Sequence, residues 1–137
     1  MTIFDHSQAT LRLIGDTLDP VEISRLLGCQ PDCSYQKGDE LIGKASGHKR
    51  LAPTGRWSIK AAIRKPENLE SQIIELLAKL TDDLAIWSQL GARYRLELFC
   101  GLFMATGNDG IELSAALMLA LGQRGIALGM DVYDSHE

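Results

Sequence analysis

Near both ends the chain repeats one local pattern: an extended apolar segment, a side chain suited to cap a helix, a short helix and a terminating glycine. The first copy is Thr10-Leu11-Arg12-Leu13-Ile14-Gly15, then Asp19-Pro20-Val21-Glu22, closing at Gly28. The second is Gly110-Ile111-Glu112-Leu113, then a helix opened by Ser114 and closed near Gly125, with a strand-like run over 126–133. Strands and one-sided helices bury their apolar faces together only in a layered domain. The expected fold is therefore α+β: a two-layer sandwich, ferredoxin-like or an elaboration of it, with helices packed on one face of a mainly antiparallel sheet.

Local chemistry supports each element. Ala9, Leu11 and Leu13 alternate with Thr10, Arg12 and Ile14, the period-two signature of a strand with one buried face. Asp19 can accept from the free amides of a helix start, Pro20 pre-sets the first helical φ, and Glu22 completes a capping box. Val21, Ile23, Leu26 and Leu27 form the apolar face of that helix. Residues 57–63 read as a strand. From Pro66 a long helix is predicted, apolar at Leu69, Ile73, Leu76, Leu77, Leu80, Leu84, Trp87 and Leu90 and stopped by Gly91. Thr81-Asp82-Asp83 can kink or split it, because these residues cap better than they fill helix interiors. A central strand follows over 94–102, and 106–110 forms a turn into a short strand at Ile111–Leu113.

At 137 residues, with 45% hydrophobic and 23% charged, the chain has ordinary globular usage and can bury a core without metal or disulfide staples. One domain over 1–137 is expected, with 1–7 as a loose tail and 29–56 as an irregular loop region with room for short extended pieces around 34–36 and 39–42. Fourteen basic against eighteen acidic residues give a net charge of −4, which disfavours general nucleic-acid binding. No export signal or spanning segment is visible and the three cysteines are odd in number, so no membrane partner, no disulfide framework and a cytoplasmic location are expected.

Gly15-Asp16-x-Leu18-Asp19-Pro20-x-Glu22-Ile23-Ser24-x-Leu26-Leu27-Gly28 opens an ordered set of motifs. Lys37-Gly38-Asp39, Gly55-x-Trp57, Cys100-Gly101 and Leu128-x-x-Asp131-Val132-Tyr133 follow it. Together they resemble the domain of unknown function 4279 family. The resemblance implies a small bacterial, cytoplasmic α+β domain and brings no activity with it.

No motif for a catalytic triad, a phosphate-binding loop or a paired-histidine metal site occurs. Cys29-x-x-x-Cys33 with His48 offers three ligands at loose spacing, where structural zinc takes four, so no metal or other cofactor is expected. Cys100 falls on the apolar face of a strand and reads as a small hydrophobe. No catalytic residue is assigned. The candidate site is the glycine-rich basic loop, where Lys37, Asp39, Lys49, Arg50, Arg56 and Trp57 offer cations and a ring. Between Lys44 and Arg56 there is no acidic residue. The expected function is a non-enzymatic protein-binding module of the immunity or accessory type, with an unidentified protein partner. The alternative is a small-molecule or anion-binding domain in which the Trp57 ring stacks on the ligand. A homodimer through an edge strand is a further expectation.

Overall fold

The computed structural model describes residues 2–134. In chain order the elements are β1 (His6–Gly15), α1 (Pro20–Leu27), β2 (Cys33–Tyr35), β3 (Glu40–Ile42), β4 (Lys49–Leu51) and β5 (Gly55–Lys60). Then come α2 (Leu69–Ala78), α3 (Leu84–Arg93), β6 (Arg95–Phe103), α4 (Ala115–Gln123) and β7 (Ala127–Tyr133). Five strands form one sheet in the order β2-β5-β1-β6-β7, and β3 pairs with β4 in a separate hairpin. All neighbours in the large sheet are antiparallel except β6 and β7, so the sheet is mixed.

Alternation in β1 puts Ser7, Ala9, Leu11 and Leu13 on the core side, level with Trp57 and Ile59 of β5 and Leu96, Leu98, Cys100 and Leu102 of β6. Ile23 and Leu27, Leu69, Ile73 and Leu76, Trp87 and Leu90, and Leu117 and Leu121 close this one core from the four helices. α1 begins as expected, with Asp19 accepting from the Val21 amide, and ends at Gly28 in the left-handed region at φ 73°. Glu22 does not close a capping box. It reaches Arg93 Nη1 at 2.6 Å and ties the start of α1 to the end of α3. Val21, read as core, is exposed.

The expected long helix is two. Asn68 caps α2 and Asp83 caps α3, each through a side-chain oxygen. At the break the Trp87 indole donates to the Thr81 carbonyl at 2.8 Å, and the Thr81 amide donates to Leu27 at the end of α1. Backbone groups freed by the break are thus satisfied by the core itself. Gly91 does not stop α3, which runs on to Arg93.

Further expectations are corrected. Residues 1–7 are not a loose tail: Phe4 is buried, the Asp5 amide donates to Phe103, and His6 and Ser7 already belong to β1. Met1 lies outside the described residues. Ile111–Leu113 is not a strand, because the place beside β6 is taken by β7 in parallel, and a parallel pair needs its connection to carry the chain back the length of the strand. Segment 29–56 is more regular than an irregular loop: it holds β2 and β3 where short extended pieces are expected, and β4 besides, with β2 joining the main sheet against β5. β5 itself ends at Lys60, before the predicted limit, and Ile63 is exposed.

Candidate functional site

The six residues singled out in the sequence fall in separate places. Trp57 is fully buried on the core side of β5, and its indole donates to the Ser24 hydroxyl at 3.0 Å. Its ring is closed to any ligand. Arg56, the next residue, lies on the opposite side of the sheet, where its Nε donates to the Ser58 hydroxyl at 3.2 Å. Lys37 pairs with Asp16 at 3.3 Å. A hydrogen bond from Thr54, and then Lys37, hold the Asp16 carboxyl below its ordinary value. Asp39 shapes a turn by accepting from the Gln36 amide at 2.8 Å.

Lys49 and Arg50 stand on the β3–β4 hairpin. The Gly38 amide donates to Ala52 and the Ala52 amide to Asp39, clamping its base. At the tip the Gly43 amide donates to His48 and the Gly47 amide to Gly43, with Gly47 at φ 68°. Glu40 lies opposite Leu51 and Ile42 opposite Lys49, so these four side chains share one face, while Leu41 and Arg50 share the other. On the first face Ile42 is 64% exposed and Leu51 70%. Between them Lys49 reaches Glu40 at 3.3 Å. Lys44 and His48 lie exposed in the connecting loop. The hairpin thus offers an exposed apolar pair beside the Lys49–Glu40 ion pair, on a two-stranded arm outside the main sheet.

The face of the main sheet away from the helices carries a second set of charged groups. Arg12 of β1 lies opposite Glu97 of β6, with Nε 2.5 Å from the carboxylate, and Arg95 reaches its other oxygen at 2.9 Å. The Arg12 guanidinium also covers the Phe99 ring at 4.6 Å from its centroid. Further along, His6, Phe103 and Tyr133 stack across three strands. These contacts occupy one another's charged groups and ring faces, so the sheet face is largely self-satisfied. The alternation of Arg12 with Leu11 and Leu13 signals such a face, but only the pairing of β1 with β6 brings Arg12 to Glu97.

Among the described residues no three His, Cys, Asp or Glu side chains are grouped to hold a metal ion. The three cysteines are unpaired. No helix among the described residues is long and apolar enough to cross a membrane.

Fold and surface together define a small mixed α/β domain that carries a projecting basic hairpin. The chain belongs to the family described as Domain of unknown function (DUF4279), whose model matches residues 5–135. No curated protein and no solved structure matches it.

Proposed function

We propose that the domain is a non-enzymatic protein-binding module of the immunity or accessory type, and that it engages its partner through the β3–β4 hairpin. The observation that carries this reading is the exposure of Ile42 and Leu51 on one hairpin face beside Lys49, with Lys44 and Arg50 close in sequence. Apolar side chains beside charged ones are the anatomy of a protein contact, and over 40–51 Lys44, Lys49 and Arg50 outnumber Glu40, an excess that favours an acidic partner surface. Free cysteines support a reducing cytoplasm, and the family resemblance supports a bacterial setting. The ferredoxin-like plan draws support from the antiparallel β5-β1-β6 centre backed by helices on one side, with the parallel β7 edge as the departure from it. Anion binding beside Trp57 draws less support, because the ring is buried and Lys37 and Lys49 already face carboxylates.

A photo-cross-linking residue at Ile42, expressed in cells of the source organism, tests the reading against a control at the exposed Lys79. A recurrent adduct from position 42 alone, weakened by salt and lost on Leu51→Asp, is the expected result. Equal adducts from both positions, or none from either, would overturn it.

A further inference from the structure

The two edges of the main sheet are built differently. β2 is a three-residue edge that follows Pro31, short and interrupted as protected edges are. β7 is a seven-residue edge carrying one charge, Asp131, and among the described residues it pairs only with β6. The Met104 amide donates to the Tyr133 carbonyl at 3.0 Å, so Tyr133 directs its backbone toward β6. In a parallel pair alternate residues turn their backbone groups to the same neighbour, so Leu128, Met130 and Val132 turn their N–H and C=O groups outward.

The side chains of the same three residues lie on the helix side of the sheet, paired with Leu98, Cys100 and Leu102. Those partners are buried, whereas Leu128, Met130 and Val132 are 37%, 43% and 51% exposed. α4, which packs over β7, has no charged residue from Ala115 to Gln123. A helix apolar on all sides is ordinarily covered on all sides. Ala116 and Ala120 line a groove shared with Ile74 and Leu77 of α2. Met118 lies about 200° around the helix from both alanines, at 100° per residue, and is exposed. Since α2 packs on β1 and the order runs β1-β6-β7, that direction leads out past the β7 edge.

We propose that this edge binds a second copy of the chain, β7 against β7, antiparallel about a two-fold axis through Met130. The strand is self-complementary in that register. Met130 faces its own copy, Leu128 faces Val132, and Asp131 faces Gly129, so the lone charge never meets itself. Moving the axis to Asp131 would set that charge against its own copy. The outward groups of Leu128, Met130 and Val132 supply reciprocal hydrogen bonds, and the exposed apolar side chains of β7 and Met118 of α4 are covered together. The two sheets become one continuous sheet of ten strands, twice the five of one chain.

Sedimentation of the whole chain tests the association, and the expected result is a mass twice that of the chain. Met130→Pro removes only an outward-facing amide, the position where an edge strand tolerates proline. Met130→Lys places a charge on the axis beside its copy. Both are expected to sediment as folded monomers with unchanged circular dichroism. Should Met130→Pro unfold the domain, Met130→Lys alone decides. Register is read separately in a Cys33→Ser background, where Met130→Cys oxidises to a covalent dimer and Leu128→Cys does not, because Leu128 faces Val132. A monomeric wild-type chain, a dimer that survives Met130→Lys, or cross-linking through position 128 and not 130 would each overturn the proposal.

Discussion

The Ser7 hydroxyl donates to Oε1 of Gln72 at 2.5 Å between β1 and α2, and neither side chain reaches solvent. Gln72 Nε2 donates in turn to the carbonyls of Ser7 and Ala62, both at 2.9 Å, while the Asn68 amide donates to Ser7 Oγ at 3.2 Å. One polar pair thus fixes the start of the central strand against the first turn of α2 and the chain leaving β5.

Breaking this pair from one side leaves a buried polar group alone, at a cost of about 1–3 kcal/mol. Ser7→Ala and Gln72→Leu are each expected to lower stability to urea by about that amount. The double variant is expected to lose less than the sum, because removing both partners leaves fewer stranded groups. Additive losses in the urea midpoints would show that the contact is not energetically coupled.

What was legible in the sequence is what local chemistry decides. Asp19, Pro20 and Gly28 mark the limits of α1 because capping and left-handed glycine act within one turn of chain. The alternation of β1 and β6 is equally visible, since burying one face of a strand needs no knowledge of its neighbour. Three features are decided by partners distant in the chain: β7 lying parallel to β6, the burial of Phe4, and the meeting of Arg12 with Glu97. At the candidate site the basic composition of 44–56 was legible. Its division between a hairpin and two sides of a sheet was not, because a one-residue step from Arg56 to Trp57 reverses the face.

Trp57 and Trp87 are both fully buried and both donate their indole N–H, to Ser24 Oγ and to the Thr81 carbonyl. Tryptophan emission is therefore expected at short wavelength, resistant to iodide and unchanged by added inorganic phosphate. Trp57→Ala is expected to cost about 3–5 kcal/mol, as large core truncations do. Ready iodide quenching in the native protein would contradict this placement.

The cysteines are expected to react in the order of their exposure. Cys33 is exposed, Cys29 is half-buried with its thiol donating to the Gln30 carbonyl at 3.4 Å, and Cys100 is buried. Burial pushes the Cys100 thiol up to about 12, which keeps it out of the reactive thiolate form. Ellman's reagent should label Cys33 first, Cys29 more slowly, and Cys100 only on unfolding. Cys100→Ser should leave the native reaction unchanged, and a lost native phase would refute the ordering.

The loop after β6 holds a carboxylate that contributes to the pH dependence of stability in acid. The Thr106 hydroxyl donates to Asp109 at 2.6 Å, the Thr106 and Ala105 amides at 2.9 and 2.6 Å, and the Thr2 hydroxyl at 2.7 Å. These bonds, led by the one from the Thr106 hydroxyl, hold Asp109 at about 2 against an ordinary 3.8. A carboxyl depressed by folding stabilises the native state fully above its ordinary value, and that contribution is lost as pH falls through about 2. Asp109→Asn keeps the shape and removes the charge. The Tm gap between wild type and Asp109→Asn should therefore stay constant above 3.8 and close as pH falls toward 2. A gap that persists at the acid end would mean that the loop is held by the shape of the side chain and not by its ionisation.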